Sequence, residues 1–140
     1  MKGLHIIADL YNLPECTLLT SAKHLGIRCV AACETAGLTV LGEHFYQFTS
    51  IDTLQAGGAT GAVVLAESHL AIHTWPERGE ATLDIYVCNV TADNSRKAER
   101  LYAELLTILK PGDVMMQRVV RGKDLARNLV NLSAPIEVAA

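Results

Sequence analysis

The stretch Glu67–Glu77, ESHLAIHTWPE, has a composition that a buried core does not explain. It sets a Ser directly after an acidic residue, a His five positions later, and Trp-Pro-Glu at its close. A Ser hydroxyl is a latent nucleophile, and an imidazole titrates near neutrality, so it can take or give a proton there. Cys88 adds a thiol, a proton donor when its pKa lies near neutral, and alternation puts it on one strand face with Asp84 and Tyr86. Taken singly, each residue has an ordinary reading. A Ser at a strand end is usually a turn residue, a His on a half-buried strand is usually structural, and a lone Cys is a small core residue. Rare residue types in fixed order over eleven positions carry far more information than any one of them.

The neighbouring segments must position these groups. GAVVLA, from Gly61 to Ala66, is a short apolar run that reads as a buried strand. From Ser68, the alternation of His69, Ala71 and His73 against Leu70, Ile72 and Thr74 reads as a second strand, which Pro76 ends. Ser68 therefore falls at the junction of two strands. Thr82 to Cys88 is a further strand with Leu83, Ile85 and Val87 on one face, and Leu4 to Tyr11 is the first strand of the chain.

Pro14 suits a helix start, and Leu18, Ala22, Leu25, Cys29 and Cys33 form its apolar stripe up to a stop at Gly37. Gly26 inside that helix costs about 1 kcal/mol. Leu38 to Phe48 reads as a strand, and Thr49 to Thr60 as a loop marked by Gly57 and Gly58. Asp93 or Asn94 caps a helix with the stripe Ala98, Leu101, Leu105 and Ile108, ended by Pro111-Gly112. Val114 to Val120 is the last strand, and Leu125, Leu129 and Leu132 suggest a short helix in the tail. Strands with two long helices interspersed give an α+β fold with helices on one face of a sheet.

At 140 residues the chain is the length of one domain, and its apolar half is enough for a single core. No apolar run approaches the ~20 residues of a membrane span, and no signal peptide is visible, so a cytoplasmic protein is expected. A net charge of −3 argues against a nucleic-acid surface. The four cysteines form no CxxC pair, and a cytosolic chain keeps its thiols reduced. Cys29 and Cys33 share a helical face near His24, but a full ligand set is missing, so no metal is expected.

The motif, together with GEHFYQF from Gly42 to Phe48, TGAVVLAESHLAIHTWPE and LDIYVC, resembles the prokaryotic pyruvoyl-dependent S-adenosylmethionine decarboxylases over most of the chain. The resemblance implies an antiparallel sheet with helices on one face and a homodimer. It also implies a proenzyme that cuts itself between Glu67 and Ser68, giving a β chain of residues 1–67 and an α chain of residues 68–140. Ser68 would become a pyruvoyl group that forms a Schiff base with the substrate amine, replacing pyridoxal phosphate, for which no Lys motif is evident. By position in the motif, His73 is the processing base, Thr60 the hydroxyl that assists processing, and Cys88 the proton donor that reprotonates Cα. Phe48, Trp75 and Glu77 match the substrate contacts, with Glu77 placed for the ribose hydroxyls. His69 is left as structural or supporting.

The implied activity is decarboxylation of S-adenosylmethionine, supplying the aminopropyl donor for spermidine synthesis. The same chemistry would serve L-ornithine or L-arginine, and retention of Phe48, Trp75 and Glu77 favours the nucleoside substrate while the long loop from Thr49 to Thr60 counts against it. An unprocessed, non-catalytic homologue is the alternative of a different class; it predicts an uncut chain.

Overall fold

The structure is a computed structural model and describes residues 1–50 and 56–123; the short helix expected around Leu125, Leu129 and Leu132 lies outside these. Along the chain run β1 (Gly3–Tyr11), α1 (Thr17–Thr20), α2 (Ala22–Thr35), β2 (Val40–Thr49), β3 (Ala56–Leu65), β4 (Ser68–Trp75), β5 (Glu80–Cys88), α3 (Ser95–Leu109) and β6 (Asp113–Arg121). The strands form one antiparallel sheet in the order β2-β3-β4-β5-β1-β6. The α+β architecture expected from the sequence is the one that forms.

Strict alternation makes the sheet two-faced. Leu4, Ile6, Ala8 and Leu10 of β1 pair in register with Val87, Ile85, Leu83 and Ala81 of β5, and all eight are buried. Leu70 and Ile72 of β4 and Val63 and Leu65 of β3 extend this apolar face under the helices. Helix α3 closes it with Ala98, Leu101, Leu105 and Leu109; the stripe ends on Leu109, and Ile108 is only partly buried against the core. Each fully buried Leu or Ile contributes roughly 1.5–3 kcal/mol over its exposed state.

The opposite face carries no helix among the described residues. It presents His5 and Asp9 of β1, His69 and His73 of β4, Thr82, Asp84 and Tyr86 of β5, and the exposed Tyr46, Phe48 and Val64.

Two local features differ from the sequence expectation. The first helix is broken at Ser21, which is extended, and its hydroxyl accepts the His24 N–H to start α2 afresh. Gly26 does not break α2; its missing side chain makes room for the Phe45 ring, whose edge lies 3.0 Å from where a Cβ would be. The second difference is that β3 begins at Ala56, so Gly57 and Gly58 belong to a strand and not to a loop. They are glycines because neighbouring backbone comes close: a Cβ on Gly58 would lie 2.0 Å from the Thr74 carbonyl oxygen. Gly37, at φ 87°, does end α2 as expected.

Candidate active site

Ser68 is the first residue of β4, joined to β3 by the two-residue turn Ala66–Glu67, with Leu65 directly opposite Ser68. Glu67 holds φ 55°, a left-handed conformation that costs a non-Gly residue on the order of 1–3 kcal/mol. Asn12 and Lys110 share this conformation, and Glu67 is the one of the three whose carbonyl precedes Ser68. Ser68 is buried, and its Oγ accepts the Cys88 N–H at 3.1 Å. The Cys88 carbonyl in turn accepts from Asn94 Nδ2 at 2.8 Å, so both sides of the Cys88 backbone are held. Ser68 and Cys88 come together at one end of the sheet.

Thr60 and His73 meet elsewhere. They stand directly opposite each other on β3 and β4, and the Thr60 hydroxyl is hydrogen-bonded to His73 Nδ1. The His73 and Trp75 rings are 6.3 Å apart. Phe48, Thr60, His73, Trp75 and Glu77 line one pocket at this end, together with Glu15 and neighbouring residues around α1. The Phe48 ring is half exposed and meets the Tyr46 ring edge-on at 5.1 Å. Of the eight residues singled out in the sequence, the chain therefore gathers five around this pocket, and Glu67, Ser68 and Cys88 at the far end of β4.

Between the two ends, on the open face, His69, Tyr86 and His5 stand in one cross-strand row. His5 Nε2 and Asp84 Oδ1 are 2.8 Å apart, and the Arg121 guanidinium lies 4.7 Å from the centre of the Tyr86 ring. Burial, then the neighbouring His5, lowers the pKa of His69 from its ordinary value. The helical Cys29 and Cys33 are fully buried, and burial pushes both thiols up to about 12, which leaves them inert.

The family described as S-adenosylmethionine decarboxylase matches residues 4–122. A relative from Picrophilus torridus, named S-adenosylmethionine decarboxylase proenzyme, is 37% identical over 127 residues, covering 91% of this chain and 89% of its own. One of the same name from Aquifex aeolicus is 40% identical over 120 residues, covering 86% of this chain and 81% of its own. This chain belongs to the S-adenosylmethionine decarboxylase family. The crystal structure of the adenosylmethionine decarboxylase from Aquifex aeolicus superposes with a TM-score of 0.74 at 37% identity, covering 87% of this chain and 92% of that one. The α+β architecture is therefore shared with that enzyme.

Sequence reading assigned no role to Thr74, yet its hydroxyl, itself buried, accepts the Ala59 N–H and donates to the Leu19 carbonyl, both at 2.8 Å. It ties α1 to the strands that carry Thr60 and His73. The signal was present: Thr74 is a polar residue on the core-facing side of an otherwise apolar alternation.

Proposed function

We propose that this chain is a self-processing, pyruvoyl-dependent decarboxylase of S-adenosylmethionine, acting as a homodimer. The observation that carries the processing reading is the pair Glu67–Ser68: a left-handed residue followed by a buried hydroxyl with an ordered hydrogen bond. A hydroxyl fixed beside the carbonyl it would attack needs little further ordering, and cutting the chain releases the strain at Glu67. Ser68 Oγ adds to the Glu67 carbonyl carbon, and departure of the Ser68 nitrogen leaves an ester in place of the peptide. A base then removes the Ser68 Cα proton as the Cβ–O bond breaks. The Glu67 carboxylate departs as the new C-terminus of residues 1–67, and the dehydroalanine left at position 68 hydrolyses with loss of ammonia. His73, with its Nδ1 engaged by Thr60, is the base, since that contact fixes the ring's orientation.

The carbonyl made at position 68 supplies the electron sink that decarboxylation of an α-amino acid demands. The residues at hand fit such a group: a buried position at a strand start, and a cysteine whose backbone N–H donates to the Ser68 hydroxyl. Cys88 holds the proton that returns to the substrate Cα. Phe48 and Trp75 offer aromatic faces for the purine or the sulfonium, and Glu77 a carboxylate for the ribose hydroxyls.

The separation of the two clusters supports the dimer. Along β4, Ser68 and His73 are separated by roughly 17 Å at ~3.4 Å per residue, beyond the reach of one imidazole. A second copy stacked on the helix-free face, related by a two-fold axis, would lay the His73 end of one sheet over the Ser68 end of the other. That face exposes Tyr46, Phe48, Val64, Trp75, Met115 and Val119, an unusual apolar content for a surface left in water.

Intact mass under denaturing conditions tests the processing: two chains split at Glu67–Ser68 are expected, and a single uncut chain after long incubation would sink the reading. Release of CO2 from S-adenosylmethionine, compared with L-ornithine and L-arginine, then decides the substrate.

A further inference from the structure

One side-chain amide joins three elements behind the pocket. Gln47 Oε1 accepts the N–H of Ala22, the first residue of α2, at 2.7 Å. Its Nε2 donates toward the carbonyls of Phe48 at 3.1 Å, Gly57 at 3.0 Å and Gly58 at 3.2 Å. This pattern fixes the amide's orientation, because a backbone N–H needs an acceptor and carbonyls need a donor. The β2–β3 register slips between Gln47 and Thr49. Regular ladder bonding is interrupted there, and backbone carbonyls at such an irregularity depend on another donor. Phe48, Gly57 and Gly58 all line the pocket that also holds Trp75 and Glu77. The Phe48 ring is half exposed and packs edge-on against Tyr46 of the same strand, so its position follows the β2 backbone that carries both.

We propose that Gln47 is a positioning residue for recognition of the nucleoside: it holds the Phe48 backbone and the Gly57–Gly58 wall at the separation the adenosyl end needs, without touching substrate. The proposal rests on the reading of the pocket given above. Gln47 differs from the groups named there in having no part in chain cleavage or proton transfer, so its loss should appear in binding alone.

Gln47→Glu is the sharpest test. It keeps the acceptor toward Ala22 and sets a second carboxylate oxygen against three carbonyls. Protonation at low pH restores one O–H donor. The variant is expected to be self-cleaved, with kcat within about two-fold of wild type and KM for S-adenosylmethionine raised on the order of ten-fold at neutral pH. Relative to wild type at each pH, that excess should shrink as the pH is lowered toward the carboxyl range of about 4–5. Gln47→Met, of similar shape and without the amide, should raise KM with no such recovery, and it serves if Gln47→Glu does not fold. An unchanged KM in a folded, cleaved variant overturns the proposal, as does a joint fall of kcat and KM performance that tracks the melting temperature. Failure of both variants to fold assigns the amide to stability and overturns it too. Absence of S-adenosylmethionine turnover in the wild type would instead remove the pocket reading itself, a result visible before any variant is compared.

Discussion

Ser68 and His73 lie on the same strand, five residues apart, with Ser68 hydrogen-bonded by the Cys88 N–H at one end and His73 paired with Thr60 at the other. In the proposed processing reaction Ser68 is the nucleophile and His73 its base, and the two cannot serve each other along that distance within one chain. The separation leads directly to an experiment with two inactive chains.

Ser68→Ala alone and His73→Ala alone are each expected to remain uncut. Unfolded together and refolded as a mixture, they form dimers in which the Ser68→Ala copy supplies His73 to the intact Ser68 of its partner. Cleavage should then appear, by intact mass, only in the His73→Ala chains. A mixture as uncut as its components would place both groups' action within one protomer or remove His73 from processing.

Cys88→Ala keeps the Ser68 hydroxyl and the N–H that holds it, because that donor belongs to the backbone. Self-cleavage should therefore proceed. Decarboxylation should fall by about 10²–10⁴-fold, the range for loss of a general acid. Mass analysis and CO2 release on one preparation separate the two effects, and undiminished turnover would exclude the thiol from the mechanism.

His69 gives the protein a pH-dependent stability whose sign is fixed. Burial is the first cause and His5 the second of its lowered pKa, Arg121 adding to the effect and Asp84 opposing it; Tyr86 packs against the same ring. Below its ordinary value of 6.5 the unfolded chain binds more protons at this site than the folded one. Stability is accordingly lost as the pH falls from 6.5 through the lower folded value, and the loss levels off beneath it. His69→Gln should flatten the melting temperature between neutral and mildly acid pH, and an unaltered slope would assign the dependence to other groups.

Gly58→Ala should destabilise strongly for its size. The new methyl meets the Thr74 carbonyl oxygen at 2.0 Å, and backbone does not yield as a flexible side chain does. An overpacking cost of about 1–3 kcal/mol or more is expected in chemical denaturation. A cost below about 0.5 kcal/mol would show that β3 and β4 separate there readily.

Strand and helix identity was legible in the sequence wherever one face is core: the alternation in β1, β4 and β5 and the stripe of α3 fall on the expected sides. Gly57 and Gly58 misled because glycine marks both turns and close backbone approach, and only the position of Thr74 opposite distinguishes them. The break at Ser21 was masked by an apolar stripe that continues across it from Leu18 to Ala22. Motif order brought out Ser68, His73 and Cys88, but order along a chain is not proximity. The strand assignment itself already implied that a serine and a histidine five residues apart point away from a common centre.

The strand order has a consequence for a cut protein. Residues 1–67 contribute β1, β2 and β3, and the remainder contributes β4, β5 and β6, so in the sheet the two pieces alternate as β2-β3, β4-β5, β1, β6. Neither piece has its three strands in one contiguous block. Severing the turn at Glu67–Ser68 would leave two chains interleaved like the fingers of clasped hands, with β4-β5 gripped between strands of the other piece. Parting them would require dismantling the sheet, so a cut enzyme would dissociate only by unfolding. Renaturation would then demand an encounter between two chains, with no folding hairpin to join β3 to β4. Self-cleavage would thus make the fold a one-way product: a precursor could fold from a single chain, and a cut form would persist only as long as it did not unfold.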